Sequence, residues 1–213
     1  MNRIYKNISF WTHICLLLLM LGMPHRLLAD DRILYVTSYE PDNKIVADNL
    51  GEFSNYVKTN IPNSRLFVES MNCNGMIDIK DWRKWMEGII SKYNNGHMRP
   101  DIVVLTGCEA VSTFLSIPNP EYKKIPVLVG GCSFSMVELP DDTTDVASWT
   151  PELKHLRSDY QDYNLIGGIL TRYSVEKNIE LAKRMYPHAK NYYFVSDNSL
   201  GGVSLQALAR KDM

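Results

Sequence analysis

Short apolar runs alternate along the chain with longer segments in which hydrophobic residues repeat at helical spacing. The apolar runs are rich in β-branched residues and predict strands at 33–37, 66–68, 102–106, 126–129 and 192–195. A short additional strand is predicted to begin at Leu165 and Ile166. The run at 102–106 is apolar up to its last residue, which is typical of a strand buried on both faces.

Helices are predicted in the segments between these strands. Asp42 and Asn43 open the first helix, Asp78 caps the second, and Ser174 caps a later one. Further helices are predicted at 109–116 and from about Val203. The residues expected to turn toward the core are Val46, Leu50, Phe53 and Val57 in the first helix, Trp82, Trp85, Met86, Ile89, Ile90 and Tyr93 in the second, and Val175, Ile179, Ala182 and Met185 in the later one.

The alternation of strand and helix predicts βαβ units, and therefore an α/β fold with a doubly wound parallel sheet. Residues 132–162 show no clear period, and the second part of this stretch is acidic. Residues 30–164 are thus expected to form a complete first lobe that includes an acidic crossover. Residues 165–213 are expected to begin a second α/β lobe that is truncated, because its last strand and helix would leave an apolar face uncovered.

The first 29 residues have the pattern of a secretory signal. Arg3 and Lys6 precede an apolar run at 14–23, and no acid occurs before Asp30. Cleavage after Ala29 is expected, and the alternative is an uncleaved N-terminal membrane anchor. Either alternative predicts an exported protein, located in the periplasm or at the periplasmic face of the inner membrane.

Charge and cysteine content narrow the range of partners. The formal net charge is −1, and removal of residues 1–29 would leave 20 bases against 24 acids, so nucleic acid is not expected as a partner. Cys73, Cys108 and Cys132 follow the signal segment, without a CxxC pair or a histidine-rich spacing, so neither a metal site nor a cofactor is predicted. One disulfide with a free thiol and three buried thiols are both compatible with this number. Cys108 and Cys132 would be the pair if strands three and four were neighbours.

Small and polar residues follow several of the predicted strands. Because parallel strands present their carboxyl ends at one edge of a sheet, a ligand is expected there. The candidate ligand-binding residues are Ser38, Tyr39, Gly107, Cys108, Glu109, Gly131, Cys132, Ser133, Asp197 and Asn198. Hydroxyl, amide and backbone groups suit a small polar ligand, and Tyr39 suits stacking on an aromatic one. The alternative is that the glycines, serines and asparagine simply form turns.

Catalytic interpretations have weaker support. The turn at Gly131, Cys132 and Ser133 could display a nucleophile, but a GxSxG pattern is absent. Glu109 could act as a base, although an acid in the first turn of a helix also favours the helix dipole. Neither GxGxxG nor GxxxxGK[ST] occurs, so a nucleotide site is not supported. We therefore do not expect this chain to be an enzyme.

The same residues resemble a known family. ILYVTSY at 33–39, PDIVVLTG at 100–107 and IPVLVGG at 125–131 look like strands of bacterial extracytoplasmic domains of the ABC-transporter substrate-binding type. VEKNIEL at 175–181, YPHAK at 186–190 and YFVSDNSLGG at 193–202 resemble the start of the second lobe in versions fused to sensor histidine kinases. The resemblance implies a type I periplasmic-binding-protein fold whose two lobes close on a small molecule.

Three functions remain as hypotheses. The first is the sensory domain of a two-component sensor histidine kinase, in which ligand stabilises the closed lobes and a homodimer is possible. The second is a solute-binding protein that delivers ligand to an ABC-type transporter. A membrane helix and kinase motifs encoded downstream would favour the first. The third is an exported hydrolase that uses Cys132 or Ser133.

Overall fold

The computed structural model describes residues 31–74, 78–141, 143–145 and 148–212. The predicted signal segment, with its proposed cleavage site after Ala29, lies outside these residues. The strands are β1 (Arg32–Thr37), β2 (Arg65–Ser70), β3 (Ile102–Thr106), β4 (Val127–Ser133), β5 (Ser135–Val137), β6 (Leu153–His155) and β7 (Leu165–Thr171). The helices are α1 (Lys44–Asn60), α2 (Ile79–Lys92), α3 (Cys108–Ser116), α4 (Leu156–Asp159), α5 (Val175–Met185) and α6 (Leu200–Asp212).

Five strands form one parallel sheet in the order β2-β1-β3-β4-β7. The register places Thr37 beside Thr106, and Thr106 beside Gly130, so that the strands end at nearly the same level. Helices flank the sheet, and hydrophobic clusters cover both faces. The prediction of an α/β fold with an all-parallel sheet is confirmed.

Alternating residues of the central strands supply the two clusters. Ile33 and Tyr35 of β1 point to the smaller cluster, where they meet Phe53 and Val57 of α1. Leu34 and Val36 point to the larger cluster, which contains the buried residues of α2 and α3. A strand with apolar residues on both sides can be buried only between two helical layers, which is why β1 and β3 lie inside the sheet.

The predicted helix starts are confirmed by their caps. The Asn43 side chain accepts a hydrogen bond from Ile45 N at 3.0 Å, and Asp78 accepts one from Lys80 N at 2.9 Å. Ser174 caps α5 in the same way. The predicted inward positions of Trp85 and Met185 are wrong. Met185, at the end of α5, is 61% exposed. Trp85 is 49% exposed, because its indole N–H reaches across the surface of the protein to Ser70 O at 2.9 Å.

The acidic stretch after β4 contains two short strands and a short helix, which could not be predicted because this stretch has no clear hydrophobic period. β5 and β6 form an antiparallel pair, and α4 follows directly. Helix α6 packs on β5, where the amide of Val137 donates to Ser204 Oγ at 3.2 Å. Leu200 and Ala207 join the larger core. The expectation that the last helix would lack a covering layer is therefore wrong for α6.

The predicted strand at 192–195 is also wrong. These residues form no strand in the part of the chain that the structure describes, and Val195 is 88% exposed. The fifth place in the sheet belongs to β7, which pairs with β4 from Val127 to Ser133. The β-branched and aromatic pattern at 192–195 lacks a neighbouring strand with which to pair. The division of the chain into two lobes stays a prediction.

Candidate functional site

The carboxyl ends of β1, β3 and β4 meet at one edge of the sheet, here called the carboxyl edge. The amide of Ser38 donates to Thr106 O at 2.8 Å, and the amide of Gly107 donates to Gly130 O at 2.9 Å. The structure thus brings the loops after these three strands together. This is the arrangement that ligand sites in parallel α/β sheets require.

Ser38 holds the start of α3. Its side chain is fully buried, and its Oγ accepts a hydrogen bond from Ala110 N at 2.9 Å. Gly107 precedes α3 with φ of 95°, a backbone conformation that favours glycine. A Cβ on Gly107 would lie 2.6 Å from Ser38 Cβ and closer still to its Oγ. Ser38 and Gly107 therefore fit against each other, and the serine hydroxyl is used within the protein.

Tyr39 and Glu109 form a hydrogen-bonded pair at the carboxyl edge. The Tyr39 hydroxyl donates to Glu109 Oε1 at 2.7 Å. Burial, and then the hydrogen bond to Glu109, raises the pKa of Tyr39, so the phenol stays neutral and remains a donor. Glu109 is only 7% exposed. Its second oxygen, Oε2, is buried and has no hydrogen-bond partner among the described residues.

Three free thiols lie at or next to the carboxyl edge. Cys108 Sγ lies 3.9 Å from Gly131 O. The residue after Gly131 is Cys132, which is buried. Cys73 is joined to the edge by its amide, which donates to Ser38 O at 2.9 Å. Burial raises the pKa of each of the three thiols, so all three are neutral near pH 7. The expected alternative of a disulfide between Cys108 and Cys132 is not present in this structure, where both are free.

Cys73 also lies at this edge, although it is not among the ligand-binding residues predicted from the sequence. It lies in the loop after β2, three residues beyond the strand end. The signal that could have identified it is position, because β2 is parallel to β1 and its loop must emerge at the same edge.

Gly131 and Ser133 lie where β4 changes register against β7, between Gly130 and Cys132. Gly131 has φ of 65° and is exposed, whereas Cys132 is buried. Ser133 Oγ accepts from the amide of Ser135 at 3.3 Å. Within the described residues, no histidine is hydrogen-bonded to Cys132 or Ser133, which is the contact that activates a nucleophile in many hydrolases.

Asp197 and Asn198 lie in the loop before α6. Asp197 accepts hydrogen bonds from the amide and hydroxyl of Ser199, which lower the pKa of its carboxyl. Gln206 contacts the backbone of the same loop. In the described part of the chain, no hydrogen bond joins Asp197 or Asn198 to the loops after β1, β3 or β4.

Two features of other functional classes are absent from the described residues. In this part of the chain, no helix combines the length and the apolar character needed to cross a bilayer. No group of three or more His, Cys, Asp or Glu side chains is arranged there to hold a metal ion. Comparison of the chain with family models, with curated proteins and with solved structures found no match.

Proposed function

We propose that this chain binds a small polar or aromatic molecule at the carboxyl edge, and that it does so as the extracytoplasmic sensory domain of a two-component sensor histidine kinase. The observation that carries the binding proposal is the buried Oε2 atom of Glu109, which has no hydrogen-bond partner among the described residues. A buried carboxylate oxygen without a donor is unfavourable in a folded protein, and a ligand that donates to it removes that penalty.

The surroundings of Glu109 suit a ligand of modest size. Tyr39 is partly exposed beside it and presents an aromatic face with a polar end. Gly131 is exposed and has no side chain to fill the adjoining space. Cys108 and Ser133 are partly exposed and add weakly polar surface. A few fixed polar groups on an otherwise neutral surface are typical of small-molecule sites.

The sensory part of the proposal rests on the resemblance of the sequence to the extracytoplasmic domains of sensor histidine kinases and on an uncovered apolar surface. The term outer apolar surface is used here for exposed residues of α5 and of the segment that follows it, namely Leu181, Met185, Tyr186, Tyr193, Phe194 and Val195. Exposed apolar residues favour the packing of further protein against them. We propose that the remainder of a second lobe covers this surface and completes the ligand cleft from the other side.

A thermal-shift screen of the purified protein against sugars, amino acids and aromatic acids tests binding. A ligand at about 100 times its dissociation constant should add about 2.7 kcal/mol of stability. Tyr39→Ala should abolish the shift, and Tyr56→Ala, on α1, should keep it. A ligand shift that Tyr39→Ala leaves unchanged would place binding elsewhere and contradict this site.

The coding sequence that follows residue 213 tests the sensory part. A membrane helix and histidine-kinase motifs in the same reading frame would support it. A stop codon after a completed second lobe would contradict it and favour transport.

A further inference from the structure

Glu109 is a buried acid that forms no ion pair with another described residue. Its Oε1 has one donor, the Tyr39 hydroxyl, and its Oε2 has none in the described part of the chain. A carboxylate buried in this way lacks the pairing that buried charges normally have.

Neutral titratable groups lie near this carboxylate. Tyr39, Cys73 and Cys108 each interact with it electrostatically, and burial raises the pKa of all three. A phenol and thiols supply no positive charge, so they cannot balance the carboxylate. The start of α3 favours an acid in its first turn, but this dipole adds no hydrogen-bond donor to Oε2.

Two glycines lie close to the carboxylate. The position that a Cβ on Gly107 would take lies 3.6 Å from Glu109 Oε2. A Cβ on Gly131 would lie 3.6 Å from the amide nitrogen of Gly107, which places the two glycines against each other. Gly131 is exposed and Tyr39 is partly exposed, so the buried carboxylate lies close to the surface of the protein.

We propose that the ligand of the carboxyl edge carries a protonated amino group, which donates to Oε2 of Glu109 and supplies the missing positive charge. The inference rests on the proposed binding function and names the class of ligand. Charge-assisted hydrogen bonds of this kind are stronger than neutral ones, so the ammonium group would provide much of the specificity. An anionic ligand would be repelled by the same carboxylate. The body of the ligand would pack on Tyr39.

Three probes of equal shape and different charge test this proposal. Phenethylamine, 2-phenylethanol and phenylacetate are each added to the purified protein at pH 7, and binding is followed by thermal shift and by calorimetry. We expect phenethylamine to raise the melting temperature in a concentration-dependent way, with the alcohol and the acid binding at least tenfold more weakly. Glu109→Gln should weaken amine binding by at least tenfold, and Glu121→Gln, at the other end of the sheet, should leave it unchanged.

Each outcome decides between the two proposals. Failure of phenethylamine to bind, or equal amine binding by wild type and Glu109→Gln, overturns the amine inference. Preferential binding of phenylacetate or 2-phenylethanol that is lost in Tyr39→Ala also overturns it, but leaves the binding function at the carboxyl edge intact. Circular dichroism of Glu109→Gln shows whether the variant is folded. If it is not, Glu109→Asp should show a reduced amine preference in a folded protein.

Discussion

Replacement of Gly107 by alanine tests how tightly the loop after β3 is fitted to the loop after β1. Gly107 has φ of 95° and ψ of 150°, in a region that only glycine occupies readily. A methyl group there would overlap the Ser38 side chain, which is fully buried and cannot turn toward solvent. Any movement of Ser38 also breaks its hydrogen bond to Ala110 N.

The expected cost follows from three contributions. Backbone strain for a residue with a Cβ in this conformation amounts to about 1–3 kcal/mol. Overpacking against Ser38 adds about 1–3 kcal/mol. Loss of the hydrogen bond that caps α3 adds about 1 kcal/mol. The substitution should therefore lower the free energy of unfolding by about 3–7 kcal/mol, a large share of the total of about 5–15 kcal/mol for a typical domain.

Urea unfolding followed by tryptophan fluorescence measures this cost. Gly51→Ala is the matched control, because this glycine lies inside α1 with open space around it and should gain about 0.5–1 kcal/mol. The double variant Ser38→Gly/Gly107→Ala removes the overlap and retains the backbone strain. In that background, Gly107→Ala should cost only about 1–3 kcal/mol. A cost below about 1 kcal/mol in the wild-type background, or an equal cost in both backgrounds, would refute the reasoning.

Three other predictions concern thiols, acid stability and the outer apolar surface. Cys108 should be alkylated first, and Cys73 and Cys132 only after unfolding, because these two thiols are more buried. Mass spectrometry measures the three alkylation rates, and equal rates would contradict the prediction. The Arg32 guanidinium donates to Asp101 and lowers the pKa of that carboxyl. The pair therefore stabilises the fold fully above the ordinary aspartate pKa, and this stabilisation is lost as the pH falls through the lowered pKa. Asp101→Asn should thus cost about 0.5–1 kcal/mol in urea unfolding at pH 7 and almost nothing once the pH is below the lowered pKa, whereas a cost independent of pH would contradict the assignment. Val195→Lys should change the stability by less than about 0.5 kcal/mol and reduce binding of a hydrophobic dye, whereas a loss of several kcal/mol would show that residue 195 is buried.

Much of the carboxyl edge could be predicted from local sequence. Strand ends followed by glycine, serine and threonine identify the loops, and the parallel direction of the strands places them together. Ser38, Gly107 and Gly131 meet for this reason. The pairing of Tyr39 with Glu109 could not be predicted, because the two residues are 70 positions apart and their contact depends on the side-chain directions at the start of α3.

The sequence by itself determined the strands β1 to β4 and the helices between them, because each apolar run and each cap is a local signal that needs no distant partner. The sequence predicted strands both at 192–195 and from Leu165, and only the tertiary structure decided which of them joins the sheet. The pattern at 192–195 has strong β propensity and the pattern at 165–171 has two glycines, yet β7 pairs with β4 while residues 192–195 stay exposed. The physical reason is that a strand forms only where a neighbouring strand offers hydrogen bonds. Local propensity cannot show which segment of the chain will pair with the free edge of β4.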